Sequence, residues 1–333
     1  MSNKIINFDD IHTEDKQKRL KSELTKISEQ IRLQFPLASP VSKCPCCTSE
    51  KIGFYVERYG YSIDLCGQCG HLFTNPFPTD DALKFFYNSE FKDFENKFFR
   101  ESFEHRIPIF QARIELLKEY GVGKKLLDIG AAIGVFYEAN LRSGVAFDMT
   151  ACDLSESACA NLKERYPELD VICSDVNELG RRHYDCVTLW DTIEHIVDPE
   201  LMLSSVRNLL HKDGVFVFST PNTLSYEWKV MREEHVQILP PGHVNLYNTE
   251  NITILLERSG WKVEAIHTLN PSLDLSYISK MLGTEESRDN SFHAKSGSIF
   301  HEMLLDEDFF DVVCKQMRSK RMGGNMLVIA RLR

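Results

Sequence analysis

A short apolar segment followed by a turn of small residues constrains the fold of this chain more than any other feature. Leu126 to Ile129 is an apolar run interrupted by Asp128, and it is typical of a buried strand. The small residues Gly130, Ala131, Ala132 and Gly134 come next, and a helical pattern follows them. Small residues allow the backbone to approach a ligand closely. This order predicts a ligand site beyond the first strand of an open α/β sheet, although such a turn can also serve packing alone.

Three further segments at βα spacing are predicted to be strands that end in an acidic residue. These strands end at Asp153, Asp175 and Asp191. Asp153 lies about twenty residues after the turn, where a carboxylate can accept hydrogen bonds from two ribose hydroxyls. The same charge would repel the phosphate of NADP. Four acid-tipped strands in regular order are difficult to explain by packing, so they favour a ribose-containing ligand at this sheet edge.

Together these motifs resemble the class I S-adenosylmethionine-dependent methyltransferases. The resemblance extends from about residue 118 to 270 and includes the last strand. It rests on Asp128-x-Gly130-x-Ala132-x-Gly134, Asp153-Leu154-Ser155, Ser174-Asp175-Val176, and Leu189 to His195 followed by Asp198-Pro199. It implies a Rossmann-like α/β fold whose sheet has seven strands, the last antiparallel, with helices on both faces. The chain departs from the family at Ala132, where glycine is usual.

The resemblance also implies roles for individual residues in binding S-adenosylmethionine. Asp153 would accept hydrogen bonds from the ribose, Leu154 would pack on adenine, and Asp175 would accept from the adenine amino group. Trp190 and Asp191 would border the methionine end. The remaining cofactor-binding residues expected on this basis are Asp128, which would order the turn, Gly130, Ala131, Ala132 and Gly134 around the methionine part, and Val176 beside adenine.

Four cysteines between residues 43 and 75 form a second motif. Cys44-x-x-Cys47 and Cys66-x-x-Cys69 have a spacing that can place four thiolates around one tetrahedral Zn²⁺. Cys46 is an additional thiol in the first pair, although the spacing favours Cys44 with Cys47. A site with four cysteine ligands has no open coordination position. The sequence therefore predicts a structural zinc ion in a small zinc-ribbon-like module.

The segment from Cys66 to Pro76 resembles the zinc-binding domain that precedes the methyltransferase domain in some sugar C-methyltransferases. It is also similar to bacterial enzymes of surface-polysaccharide and natural-product pathways. The following segment, Leu83 to Phe91, resembles their tyrosine-containing segment over the cofactor. This implies that Tyr87 contacts cofactor or substrate. The alternative is that Tyr87 is a core aromatic residue among the neighbouring phenylalanines.

Two histidines are candidates for a catalytic base. If the methyl acceptor is a hydroxyl, a base must take its proton, and a neutral imidazole suits this near pH 7. His195 follows the fourth strand of the predicted sheet. His243 lies in an irregular segment, 223–247, where substrate-binding residues are expected. Each can instead be structural, His195 by orienting the loop and His243 by bonding to backbone.

The rest of the chain is expected to surround this core. The predicted units are a helical N-terminal arm at 1–40, the zinc-binding module at 41–80, a helical lid or linker at 81–120, the methyltransferase core at 121–270, a helical insertion at 271–322 and the final strand of the core sheet at 323–333. The arm has apolar residues at helical spacing. It is predicted either to pack on its own domain or to form a homodimer contact.

Composition limits the partners of this protein. The formal net charge is -10, which counts against a general nucleic-acid surface or an anionic-membrane surface. The longest apolar run is too short to span a membrane, and the N-terminus has no secretory pattern. A cytoplasmic protein with reduced cysteines is therefore expected.

The sequence predicts methyl transfer from S-adenosylmethionine to a small-molecule acceptor, either a sugar or a natural-product or polysaccharide intermediate, by in-line displacement. One alternative is a methyltransferase for tRNA or protein with the zinc module as docking element. Lys and Arg are not enriched at 43–75, which counts against tRNA. Another alternative is a non-catalytic scaffold that retains the fold, although the acids at 153 and 175 count against it.

Overall fold

The computed structural model describes residues 14–145, 147–269, 271–282 and 292–333. The first described elements are helix α1 (Glu14–Gln34) and the antiparallel strands β1 (Ile52–Arg58), β2 (Tyr61–Cys66) and β3 (Leu72–Thr74). In α1, Leu24, Ile27 and Ile31 recur at helical spacing and are buried against Phe86 and Phe91. The apolar face predicted for this arm is therefore covered by residues of the same chain.

Three helices follow β3 and precede the first strand of the central sheet along the chain. They are α2 (Asp80–Tyr87), α3 (Glu90–Glu101) and α4 (Phe103–Glu119). The apolar residues Ile107, Ile114 and Leu117 of α4 are buried in the same cluster as Leu126 and Trp190 of the central sheet. Helix α4 is thus packed directly on the sheet, and it brings its side chains to the edge where the acid-tipped strands end.

A seven-stranded sheet forms the centre of the molecule. Its strands are β4 (Lys125–Ile129), β5 (Asp148–Asp153), β6 (Asp170–Cys173), β7 (Tyr184–Trp190), β8 (Leu210–Pro221), β10 (Trp261–Leu269) and β11 (Asn325–Leu332). Their order is β10-β11-β8-β7-β4-β5-β6, and β11 runs antiparallel to both of its neighbours. The parallel strands β4 and β7 are apolar on both faces because helices cover both faces. This confirms the predicted Rossmann-like fold.

Helices pack on both faces of this sheet. They include α5 (Val135–Ser143), α6 (Glu156–Arg165), α7 (Pro199–Leu209) and α9 (Asn251–Arg258). The short α8 (Tyr226–Met231) lies elsewhere, and its Trp228 is buried with Ile63 and Leu72 of the small sheet. Local sequence sets where two of them begin. The Ser155 hydroxyl accepts a hydrogen bond from the Ala158 amide at the start of α6, and the Asp198 carboxylate does the same for the Leu201 amide in α7. Both caps follow the ends of strands, so they direct the chain away from the sheet edge.

The region predicted as a helical insertion contains α10 (Pro271–Leu282), α11 (Phe292–Leu304) and α12 (Glu307–Ser319). All three helices fall within residues 271–322. Leu275, Ile278, Leu304 and Met317 form an apolar cluster with Tyr226 of α8 packed against it. Residues 283–291, from the polar part of this region, and residues 1–13 of the arm lie outside the described residues. Within the described ranges, every helix is too short or too polar to span a membrane.

The small N-terminal sheet contains a strand from the other half of the chain. Strand β9 (Asn245–Leu246) pairs with β3 and completes a four-stranded sheet in the order β1-β2-β3-β9. Cys44 and Cys66 are also part of the same buried cluster as Tyr247 and residues of the central sheet. The cysteine module is therefore packed into the core and is not a separate appendage.

Candidate active site

The small-residue turn after β4 is held against the end of the neighbouring strand β5. The amides of Gly130 and Ala131 donate hydrogen bonds to the Cys152 carbonyl at 2.8 and 3.2 Å. The Ala132 amide donates to Oδ2 of Asp153 at 2.8 Å. Asp153 thus orders the turn that lies beside it. The turn and the acid that were predicted to bind one ligand are in direct contact.

Three residues of this turn have a left-handed backbone. The φ angles are 75° at Gly130, 46° at Ala132 and 77° at Gly134. A side chain at Gly134 would place its Cβ 2.7 Å from Cδ2 of Leu162, so glycine is required there for space as well as conformation. Ala132 adopts a conformation that L-residues with a Cβ atom disfavour. The one position that departs from the family pattern is therefore a strained position in the structure.

Asp153 and Asp175 lie at the ends of adjacent parallel strands. Asp153 accepts hydrogen bonds from the backbone amides of Ser155 and Ala132, while burial raises its pKa above the usual range. Asp175 accepts from the Asn177 amide at 2.8 Å. Each carboxylate oxygen has two acceptor positions, so both acids can still accept from a ligand. The side chain of Leu154, predicted to pack on adenine, is 55% exposed beside them, and Val176 is buried.

Asp128 lies beneath the turn and between two strands. Its side chain is 3% exposed, and Oδ1 accepts a hydrogen bond from the Thr188 hydroxyl of β7 at 2.8 Å. Burial raises the pKa of Asp128 to about 7. The hydrogen bond with Thr188 joins β4 to β7, and the role of Asp128 in ordering the turn stays a prediction.

Asp191 connects the end of β7 to three other elements. Its Oδ1 accepts hydrogen bonds from the Ser219 hydroxyl at 2.9 Å and the Asn325 amide group at 2.6 Å. Its Oδ2 lies 3.5 Å from Nη2 of Arg113. Trp190, the preceding residue, is buried with its ring 4.8 Å from the Arg113 guanidinium carbon. The two residues predicted at the methionine end therefore enclose a buried arginine.

Arg113 is a candidate functional residue that the sequence patterns did not identify. Only 5% of its side chain is exposed, and its Nε and Nη1 atoms are buried without a hydrogen-bond partner among the described residues. Burial lowers the pKa of Arg113, while Asp191 opposes that shift. The sequence does contain an indication of this role. Arg113 lies on the same helical face as the apolar residues Phe110, Ile114 and Leu117. A cation on an apolar stripe requires an anionic partner.

The two candidate bases lie together. The ring centroids of His195 and His243 are 4.7 Å apart. Nδ1 of His195 is 2.9 Å from the Gly242 carbonyl, and Nδ1 of His243 is 2.9 Å from the Gln237 carbonyl. Since a carbonyl can only accept, each Nδ1 carries the proton and each neutral ring has an acceptor at Nε2. Burial lowers the pKa of both imidazoles, that of His243 to about 4.

Glu194, Tyr87 and Lys92 surround this pair. Glu194 is 1% exposed, accepts from the Thr220 hydroxyl at 2.9 Å, and has its pKa raised by burial. The polar atoms of Glu194, His195 and His243 lie within 4.8 Å of one another. The ring of Tyr87 is 6.1 Å from that of His195, and the Lys92 ammonium is 5.1 Å from the Tyr87 ring.

Tyr87 and Lys92 also connect the histidines with the cofactor-side acid. Burial raises the pKa of the Tyr87 phenol to a value above its usual range, and the nearby carboxylates of Glu194 and Asp153 raise it further. Lys92 lowers the pKa of both Asp153 and His195. Tyr87 and Lys92 therefore lie near both Asp153 and the histidines, and these residues together with the turn form the candidate cleft. Tyr87 also packs against Phe86, as the core-aromatic alternative expects, and its contact with cofactor or substrate stays a prediction.

The four predicted cysteine ligands converge. The Sγ atoms of Cys44 and Cys69 are 3.7 Å apart, those of Cys47 and Cys66 are 3.5 Å apart, and all four lie within 4.8 Å of one another. A tetrahedral zinc ion with bonds of about 2.3 Å has ligand separations of about 3.8 Å, so the donor set fits. Cys46 is fully buried outside this group, and burial raises its pKa.

Known proteins resemble this chain over the region just described. A family model described as a methyltransferase domain matches residues 102–266. A probable S-adenosylmethionine-dependent methyltransferase from Mycolicibacterium smegmatis is 31% identical over 144 residues, which cover 43% of this chain and 53% of that protein. The ubiquinone biosynthesis O-methyltransferase from Coxiella burnetii is 27% identical over 171 residues, covering 46% of this chain and 72% of that protein. The chain thus spans about half the length of the first of these relatives.

Among solved structures, a SAM-dependent methyltransferase from Archaeoglobus fulgidus is similar with a TM-score of 0.45 and 20% identity, covering 70% of this chain and 97% of that one. The matched residues 102–266 include the turn after β4 and the acids at the strand ends. Through residues 102–266, this chain belongs to the class I S-adenosylmethionine-dependent methyltransferases.

Proposed function

We propose that this protein transfers the methyl group of S-adenosylmethionine to a hydroxyl group of a small molecule. One observation carries the proposal: the imidazoles of His195 and His243 lie 4.7 Å apart, and each bonds a backbone carbonyl through Nδ1 and keeps Nε2 as an acceptor. A neutral imidazole with a free acceptor nitrogen is suited to taking a hydroxyl proton. The Coxiella relative is named an O-methyltransferase, which supports oxygen as the acceptor atom.

The residues of the cleft divide into two groups by their chemistry. S-adenosylmethionine supplies a methyl group on a positively charged sulfur, and an in-line attack by the acceptor oxygen would release that sulfur as a neutral thioether. The turn would surround the methionine part and Asp153 would accept hydrogen bonds from the ribose, which together would fix the direction of the methyl group. His195 and His243 present Nε2 to the acceptor, and one of them takes the hydroxyl proton as the new C–O bond forms. Much of the rate enhancement then arises from orientation.

We further propose that Arg113 binds the carboxylate of the methionine moiety. Its two unpartnered donor nitrogens lie beside Trp190 and Asp191, at the predicted methionine end. A guanidinium group presents donors in a fork that matches a carboxylate. A cofactor carboxylate would therefore satisfy donors that the described protein groups leave without a partner.

The cysteine group is proposed to bind one structural zinc ion. Its sulfur separations fit tetrahedral coordination, and four thiolates fill all four positions. A cytoplasmic location is proposed with it, because four thiolate ligands require cysteines that stay reduced.

The acceptor is proposed to be a sugar or a natural-product or polysaccharide intermediate. The support is the resemblance of the Cys66–Pro76 segment to the module found in such methyltransferases. The burial of both imidazoles by surrounding residues also suits a small acceptor better than a macromolecular one. Methyl transfer to tRNA or protein, and a non-catalytic scaffold, are the competing hypotheses.

Calorimetric titration with S-adenosylmethionine tests the proposal. Asp153→Ala should weaken binding at least tenfold, because a hydrogen bond to a charged group contributes about 1.5–3 kcal/mol. Asp148→Asn is the matched control, since it changes an exposed acid at the opposite end of the same strand and should leave the Kd unchanged. Absence of binding by folded wild-type protein would exclude the proposed activity.

A second experiment tests the acceptor class. Release of S-adenosylhomocysteine with nucleotide sugars, but not with tRNA or protein, would support the small-molecule acceptor, whereas cofactor binding without turnover favours a scaffold.

A further inference from the structure

The cysteine group and the candidate catalytic histidines are joined by one continuous segment, residues 242–251. Strand β9 begins two residues after His243 and pairs with β3, which follows the second cysteine pair. In this pairing Asn245 lies opposite Phe73 and Leu246 lies opposite Leu72, and the Thr74 amide donates to the Val244 carbonyl at 2.9 Å. The backbone next to His243 is thus part of the sheet that the cysteines hold.

A second attachment lies at the other end of this segment. The side-chain amides of Asn248 and Asn251 both donate to the carbonyl of Cys69, each at 3.4 Å. Asn248 is 3% exposed, and its Oδ1 accepts from the amides of Glu250 and Asn251 at the start of α9. One side chain therefore ties the backbone of a proposed metal ligand to the first turn of a core helix.

An aromatic pair fills the space between these attachments. The rings of His71 and Tyr247 stack with centroids 5.1 Å apart, and both residues are fully buried. Nδ1 of His71 lies 3.7 Å from Sγ of Cys44. Tyr247 belongs to the same buried apolar cluster as Cys44 and as Ile193, which follows β7.

The same segment holds the residues that follow β7. The Val244 amide donates to the Glu194 carbonyl at 2.9 Å, and Nδ1 of His195 donates to the Gly242 carbonyl at 2.9 Å. The Asn245 side-chain amide donates to the Ile196 carbonyl at 2.7 Å. The His195 ring is consequently oriented by backbone that is anchored at the cysteine module, and the backbone of His243 is part of the same anchored segment.

We propose that metal occupancy of the cysteine group sets the positions of His195 and His243, with Asn248 as the positioning residue that transmits it. This rests on the proposed function, and it deepens the role of the proposed zinc ion from local stabilisation to control of the acceptor side. The cofactor side is held differently, because the turn and Asp153 are positioned by β4 and β5 of the central sheet. Metal loss should therefore impair the acceptor side and spare cofactor binding.

Hydrogen–deuterium exchange of the full-length, metal-loaded protein before and after chelation tests this coupling. Exchange in peptides that cover 240–248 should rise at least fivefold on metal removal, while peptides of β4 and β5 stay protected. The Kd for S-adenosylmethionine should stay within threefold. Unchanged exchange at 240–248 after metal loss, or purified protein without bound metal, would overturn the proposal.

Asn248→Ser provides a test that does not require metal removal. A serine hydroxyl can still accept from the amides at the start of α9, but it is too short to donate to the Cys69 carbonyl. The variant should retain its metal and its affinity for S-adenosylmethionine, yet show at least threefold faster exchange at 240–248. Asn208→Ser, on the exposed face of α7, is the control.

The chelation experiment and the Asn248→Ser comparison together distinguish failure of this proposal from failure of the proposed function. Protection at 240–248 equal to that of the control variant would refute the role of Asn248 while leaving the methyltransferase proposal intact. Failure of the metal-loaded wild-type protein to bind S-adenosylmethionine would refute the proposed function itself. If chelation unfolds the whole chain, the Asn248→Ser comparison decides the question alone.

Discussion

The guanidinium group of Arg113 lies 3.5 Å from the carboxylate of Asp191, with the arginine side chain 5% exposed and the aspartate side chain 44% exposed. Of the two side chains, only that of Asp191 is substantially exposed to solvent. Asp191 is further occupied by Ser219 and Asn325, so it satisfies part of the guanidinium and leaves two donor nitrogens for another anion.

Arg113→Leu should therefore weaken binding of S-adenosylmethionine at least tenfold, because the methionine carboxylate loses a charged partner. Calorimetry with 5′-methylthioadenosine provides the matched control, since this compound has the adenosine part but no carboxylate. Its affinity should be the same for the wild-type protein and the variant. An equal loss of affinity for both compounds would indicate damage to the cleft and contradict the assigned contact.

The methyl-transfer rate is expected to persist in mildly acidic solution. Burial lowers the pKa of His243 to about 4, and it lowers that of His195 as well. Both bases then remain neutral well below their ordinary pKa of about 6.5. In a pH profile of kcat/KM, the acidic limb should lie closer to pH 4 than to pH 6.5. A limb at 6.5 would contradict a buried imidazole base.

The same histidine predicts a pH dependence of stability. Between about pH 6.5 and pH 4 the unfolded chain binds a proton at His243 that the native state does not bind, so the free energy of unfolding should fall as the pH falls through this window. His243→Gln should reduce the difference between urea unfolding curves at pH 7 and pH 5. His211→Gln, which removes an exposed imidazole, controls for loss of a histidine as such.

Ala132→Gly should stabilise the protein slightly. The alanine has a φ of 46°, and a left-handed conformation costs an L-residue about 1–2 kcal/mol. Glycine removes this cost but loses more backbone entropy on folding, by about 0.5–1 kcal/mol. The expected gain is therefore about 0.5–1 kcal/mol in urea unfolding. A clear loss of stability would show that the Ala132 methyl group contributes packing that outweighs the strain.

Gly134→Ala should have the opposite effect. The φ of 77° disfavours alanine, and the new Cβ would approach Leu162 to 2.7 Å. We expect the free energy of unfolding to fall by about 1–3 kcal/mol, since both strain and overpacking oppose the native state. Tolerance of alanine at this position would mean that helix α6 can move away from the turn.

Cys44→Ser and Cys46→Ser form a pair that tests the metal ligands. The Cys44 sulfur belongs to the group of four, whereas the Cys46 sulfur does not. Metal analysis should find about one zinc ion per chain in the wild-type protein and in Cys46→Ser, and a large loss in Cys44→Ser. Retention of zinc by Cys44→Ser together with loss in Cys46→Ser would show that the first pair was assigned wrongly.

Local sequence patterns were sufficient to predict the fold and the cofactor edge. Parallel strands that are covered on both faces need continuous apolar runs, and a strand-to-helix turn close to a ligand needs small residues, so both leave a signature within a few positions. The order Leu126 to Gly134 followed by Asp153 is such a signature. The two Cys-x-x-Cys pairs could also be predicted as metal ligands from the sequence, because a short metal-binding loop fixes the spacing of its ligands along the chain.

The sequence by itself determined which segments become strands, which acids stand at their ends and which cysteines can pair, since these properties depend on neighbours along the chain. Only the tertiary structure decided that Arg113 faces Asp191, that His243 meets His195, and that Asn248 reaches Cys69. These partners are between 48 and 179 residues apart and carry no shared pattern. The first two contacts arise because the order of the central sheet brings distant strand ends to one edge. The third arises because β9 pairs with β3 in the small sheet.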